Sequence, residues 1–286
     1  MTYQSSPRPQ FDGPAAIPAE SATRHLWGDP VSGEVADWIY VSSDKIHQLV
    51  FGLGPGGAFR HSDEYRTIFG ADELLYVLSG VMVLANPETG EVHRVLPGEA
   101  AFFRRDTWHH AFNYSTEPLR VLELFAPPPS QGTSGQYART KPNLTQSKYT
   151  QDQWLTRLPM EQNQARAAHS IRVLREKDLI WRLEDNTSQP VLIGIWISTE
   201  HLTVGQIELL PGQHTQPHIH GGDESLYVLE GRLHVRVPEN GGQRWFELKP
   251  GDGFYIPQGV AHQYYNVSGA AAKFLFGVAP CYLAEK

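Results

Sequence analysis

Residues 212–231 read GQHTQPHIHGGDESLYVLEG, and the rest of the chain can be read outward from them. Successive side chains of an extended strand point to opposite faces, so residues two apart share one. His218 and His220 are therefore expected to aim the same way from one strand, while Glu224 opens the apolar run that carries Leu226 and Val228. Residues 251–266, GDGFYIPQGVAHQYYN, complete the set, with His262 beginning a strand on the face of Tyr264 and Asn266. The glycines and Pro257 fall where strands must turn. Three imidazoles and a carboxylate converging inside a small β-barrel make a site for a borderline divalent ion, with His218, His220, Glu224 and His262 as its expected ligands.

The composition sets bounds. The 286 residues suffice for one large domain or two ordinary ones, and 40% apolar with 19% charged residues fits a globular chain. High Gly and Pro content (26 and 21) suggests many turns between short strands. The net charge of −7 shows no basic stripe, so no nucleic-acid partner is expected. No apolar run approaches the ~18–20 residues of a membrane-spanning helix. The N-terminal residues lack the charged-then-apolar pattern of a secretory signal, and the single Cys281 excludes an intrachain disulfide. A cytoplasmic location with no membrane partner is the expectation.

Along the chain, residues 1–24 read as an extended arm. Residues 25–128 form a first β series that includes His47–Leu53 and Ala100–Phe103. Residues 129–170 read as a polar linker, in which Gln151–Leu158 could form a short helix, and residues 171–286 form a second β series. The two series repeat one another. Glu73–Gly80 (ELLYVLSG) matches Glu224–Gly231 (ESLYVLEG) at six of eight places, and His109 and Asn113 then correspond to His262 and Asn266. A hairpin two residues longer in the second copy accounts for the change in offset. The fold class is all-β.

The positions Gly212, His218, His220, Glu224, Gly231, Gly251, Pro257, Gly259, His262 and Asn266 resemble both signature motifs of the cupin superfamily at every fixed place. The resemblance implies a bicupin: two tandem double-stranded β-helix (jelly-roll) barrels, with an N-terminal arm and an interdomain linker. The first barrel departs from the pattern, with Thr67 and Phe69 at the His-x-His places and Arg104 and Asp106 at the Pro and Gly places, although Glu73 and His109 survive. A longer loop would let His61 and Asp63 stand in, giving a possible second metal site of His61, Asp63, Glu73 and His109. Otherwise Glu73, Arg104 and His109 would form a polar network or anion pocket.

Imidazole with carboxylate suits Fe(II), Mn(II), Ni(II) or Zn(II). Similarity to bicupins that cleave rings of gentisate-like or flavonol-like substrates favours Fe(II). It implies a dioxygenase acting on a small phenolic, enolic or diketone substrate, although gentisate-type enzymes dispense with the glutamate. Oxalate decarboxylases are also similar but usually carry the full ligand set in both barrels. A non-redox isomerase, cyclase or decarboxylase, or a non-catalytic small-molecule-binding cupin, is the alternative. Glu224 is expected to bind metal or act as general base, and Tyr264 to line the pocket. A homodimer is the expected assembly.

Overall fold

The computed structural model describes residues 6–128, 135–150, 167–184, 189–239 and 242–284. The helix expected at residues 151–158 lies outside them. All strand pairings among the described residues are antiparallel, and they make two units, each a seven-stranded sheet faced by a smaller one. In the first unit the large sheet runs Ile171–Leu174, Ala100–Phe103, Asp72–Ser79, Leu119–Ala126, His47–Leu53, Gly33–Ser42, Thr23–Asp29. In the second it runs Ala15–Ile17, Gly253–Ile256, Asp223–Glu230, Ala272–Ala279, Thr203–Leu209, Val191–Ser198, Ile180–Glu184. The smaller sheets have four and three strands. These are two jelly rolls of open sheets rather than closed barrels.

The central strands are apolar at nearly every position because both faces of each large sheet are covered. On Leu119–Ala126, Leu119 and Val121 point into the first jelly roll, while Leu122, Leu124 and Ala126 enter a core shared with the second. On Ala272–Ala279, Phe274, Phe276 and Val278 point inward and Leu275 and Ala279 into the shared core. The two large sheets thus pack back to back through one apolar cluster containing Tyr40, Leu124, Trp196 and Tyr227.

Each large sheet takes an edge strand from outside its own unit. Part of the N-terminal arm, Ala15–Ile17, crosses to the second unit and pairs with Gly253–Ile256 in the register Ala16↔Phe254. Ala19 N–H donates to Asp252 Oδ1 at 3.0 Å and fixes the crossing. Ile171–Leu174, expected to open the second series, instead pairs with Ala100–Phe103 of the first. Pairing satisfies the backbone of an exposed edge and buries Ile171 and Leu174.

The glycine that closes each repeat has a steric reason. Gly231 has φ 71°, and a Cβ there would lie 2.1 Å from the Ala271 carbonyl oxygen. The asparagine that ends each repeat staples its turn: Asn266 Nδ2 donates to Leu209 O and Ala270 O, as Asn113 Nδ2 does to Leu53 O and Glu117 O.

Leu124 is fully buried in the shared core. Leu124→Ala should cost about 2–5 kcal/mol in urea denaturation. Calorimetry should show both units melting in one lowered transition, and two separate transitions would mean that the shared core does not couple them.

Candidate metal centre

Glu224 stands second on Asp223–Glu230, with its side chain on the inward face between Ile256 and Val278 of the neighbouring strands. His218 and His262 lie on no regular strand. They face each other across an isolated antiparallel bridge, N–H to C=O at 3.0 Å in both directions, just before Gln263–Tyr265. The strand expected to carry His218 and His220 is an irregular extended segment, since Pro217 supplies no backbone donor. His220 is held differently: its carbonyl accepts from Gly259 N–H at 3.1 Å, and its ring lies 4.6 Å from that of Tyr282.

One potential ligand atom from each of His218, His220, Glu224 and His262 lies within 4.8 Å of the other three. The orientation of the rings is settled by backbone carbonyls. Nδ1 of His218 meets Gln216 O at 2.8 Å, Nδ1 of His220 meets Tyr282 O at 2.7 Å, and Nδ1 of His262 meets Val260 O at 3.0 Å. A carbonyl only accepts, so each Nδ1 carries a proton and each Nε2 turns inward, as a bare lone pair whenever the ring is neutral. Two of these face the carboxylate: His262 Nε2 lies 2.9 Å and His220 Nε2 3.4 Å from Glu224 Oε2. Burial on its own would raise Glu224, but attraction to His220 and His262 holds it down to about 2. Burial, then His262, pushes His218 down to about 4.

A proton on Nε2 of His220 or His262 accounts for the attraction to Glu224; with the rings neutral, lone pairs face the ionised oxygen and a cation must take the proton's place. Glu224 Oε2 and His262 Nε2, 2.9 Å apart, have no further hydrogen-bond partner among the described residues. A divalent cation relieves all of this at once, and the donor set fits one. Tyr264 is fully buried, with its ring 5.2 Å from His262 and its hydroxyl unpartnered; burial, then the charge of Glu224, keeps the phenol protonated. Of the other aromatics near the motif, Tyr227 and Tyr255 turn into the shared core and Phe254 into the interior packing. Sequence reasoning missed Tyr282, whose carbonyl and ring both orient His220. Lying beyond both motifs, it left no signal but its aromatic character.

The first unit repeats the frame without the ligands. His109 N–H donates to Thr67 O at 3.1 Å, as His262 N–H does to His218 O. Thr67 thus stands where His218 does, and Phe69 where His220 does. His61 and Asp63 do not join Glu73 and His109 as a second metal site. His61 Nε2–H donates to Leu144 O at 2.7 Å, so its Nδ1 accepts from His110 Nε2–H at 2.6 Å, and His110 Nδ1 accepts from the Tyr149 hydroxyl at 2.6 Å. Every nitrogen of that pair is engaged. Asp63 pairs with Asn143 at the surface. Arg104 turns away from the interior to Asp72 and Glu200, so it makes no anion pocket with Glu73 and His109.

Inside the first unit, Glu73 lies 3.8 Å from His109 and stands beside Glu123, which faces Asp37. Burial raises Glu73 and Asp37, and it pushes Glu123 up to about 7.

Two jelly rolls in tandem, one holding a three-histidine, one-glutamate group in its interior, define a bicupin with a possible divalent-metal site. The chain matches the cupin domain family over residues 52–125 and 205–278 and belongs to that family. Among solved structures it is similar to a Pseudomonas aeruginosa protein described as glyoxylate-induced, with TM-score 0.66 and 17% identity over 97% of this chain and 92% of that one. It is also similar to a variant of Bacillus subtilis oxalate decarboxylase, with TM-score 0.61 and 15% identity over 97% of this chain and 80% of that one. Among curated proteins, germin-like protein 3-8 of Oryza sativa is 30% identical over 81 residues, 28% of this chain and 36% of that relative's length. No described helix is long and apolar enough to cross a membrane.

His218→Ala and His262→Ala should each lower the metal content of purified protein well below wild type while near-UV circular dichroism stays native. Unchanged metal content would place the site elsewhere. A second expectation concerns pH. Glu123 has a raised folded-state pKa, so its contribution is fully present below the unfolded carboxyl value of about 4.3 and lost as pH rises through about 7. His47 and His109 are buried and held down to about 3 and about 4. They act in the opposite sense, losing stability as pH falls below about 6.5. The difference in Tm between wild type and Glu123→Gln should therefore shift in favour of the variant between pH ~5 and ~8. A pH-independent difference would show that Glu123 does not titrate in this range.

Proposed function

We propose that this bicupin is an Fe(II)-dependent dioxygenase acting on a small, oxygen-rich substrate such as a phenol, enol or β-diketone. The observation that carries the reading is the set of inward Nε2 atoms around one ionised carboxylate, a donor set suited to iron among other borderline ions. The ion would supply Lewis acidity toward an enolate or phenolate oxygen and, as iron, a route for dioxygen.

The chain's own residues would do the rest. His218, His220 and His262 hold their lone pairs in place through their Nδ1 protons. Glu224 contributes charge or, released from the ion, takes a substrate proton at Oε2. Tyr264, with its phenol protonated and its hydroxyl unpartnered, supplies a hydrogen-bond donor on the same side. That donor favours a second reading, a non-redox isomerase, cyclase or decarboxylase in which a proton is returned to an enolate carbon. A cytoplasmic homodimer completes the proposal.

Protein loaded with iron under anaerobic conditions and screened against catechols, gentisate, enols and β-diketones should consume oxygen with at least one of them. Glu224→Gln should lower that rate by about 10²-fold or more. Turnover without oxygen would replace this reading by the second. Binding without any product would leave a ligand-holding cupin and remove both.

A further inference from the structure

The pairing registers align the two jelly rolls residue by residue, and they expose an exchange in the first that motif reading does not reach. Glu123 pairs with Leu49 and Leu75, as Phe276 pairs with Gly205 and Leu226. Asp37 pairs with Phe51, as Ile193 pairs with Ile207. Two acidic residues thus occupy interior places that the second unit fills with Phe276 and Ile193, both members of its apolar core. The first unit lacks the histidine pair and carries carboxyls a few residues away.

Those carboxyls line a cavity of about 60 Å³, shared with Trp27, Phe51, Phe59 and Phe125. That is room for about two water-sized groups. Asp37 is 7% and Glu123 8% exposed, and the Asp37 carboxyl makes no hydrogen bond among the described residues. Among the described residues no lysine or arginine lines the cavity. Its one imidazole, His47, is committed to Ser42 Oγ at 2.7 Å and packs on Phe125. Glu123 has the Glu73 carboxyl as a hydrogen-bond partner, whereas Asp37, with neither cation nor donor beside it, must stay protonated or receive a cation from outside. Aromatic rings in the wall can attract an alkylated ammonium placed over their faces.

We propose that the interior of the first jelly roll binds a small organic ammonium ion between the carboxyls of Asp37 and Glu123, against the rings of Trp27, Phe51, Phe59 and Phe125. The ligand enters as the cation and one carboxyl proton leaves to solvent, so the cavity keeps its net charge. This site is separate from the metal centre and does not depend on the chemistry proposed there.

The test is calorimetric titration of the full chain near neutral pH with methylammonium, ethylammonium and trimethylammonium chlorides, with ethanol and tert-butanol as neutral counterparts. At least one ammonium should bind saturably, with heat that changes with the ionisation enthalpy of the buffer because a proton is released. Asp37→Asn and Glu123→Gln should each weaken binding by about tenfold or more, with the metal content of the second unit unchanged as the check on folding. Should one variant fail to fold, the other decides. Absence of saturation with all three ions overturns the proposal. So does equal binding of tert-butanol and trimethylammonium, or unaltered affinity in a folded variant.

Discussion

Three backbone carbonyls, those of Gln216, Val260 and Tyr282, each take the Nδ1 proton of one histidine. Every ring is thereby fixed in orientation with Nε2 inward, and those of His220 and His262 meet the glutamate. The arrangement needs a proton or a metal cation between ring and carboxylate, and the frame must be stiff enough to hold it. That stiffness comes from the paired bridge between His218 and His262, from the central strand that carries Glu224, and from packing of the large sheet on the shared core.

The same frame serves two different interiors. Thr67 and Phe69 take the places of His218 and His220, and Glu73 and His109 remain as a carboxyl and an imidazole with no common ion to hold. Loss of ligands did not make the first interior apolar. It holds Asp37, Glu73 and Glu123 in surroundings that favour the protonated acid, whereas Glu224 in the second is ionised. The surroundings set the difference: imidazoles around one carboxyl, aromatic rings and other carboxyls around the rest. The Asp residue before each glutamate ties the units together, Asp223 through Lys45 and Tyr255, and Asp72 through Arg104, which continues to Glu200.

Much of this was legible in the sequence because the signals are local. Alternating apolar residues between Gly and Pro turns gave His47–Leu53 and Ala100–Phe103 with their observed bounds. The repeat of Glu73–Gly80 in Glu224–Gly231 gave the two-unit architecture, and the spacing of His218, His220, Glu224 and His262 pointed to the four side chains that cluster. Local pattern misled at the edges. Ile171–Leu174 looks like the opening of the second series but pairs with the first, since strand partnership is a long-range choice. His61 and Asp63 have ligand chemistry, yet hydrogen bonds to Leu144, His110 and Asn143 hold them elsewhere.

By itself the sequence determined that the chain is a tandem of β units and that four of its side chains form one group. Both follow from the period of two in a strand and from fixed spacings around turns. Only the tertiary structure decided which ring nitrogens face inward, that Tyr282 supports His220, and that Asp37 and Glu123 share a cavity. Those facts depend on residues far apart in the chain, and an alternating pattern cannot say which of two buried faces meets the jelly-roll interior and which meets the neighbouring unit.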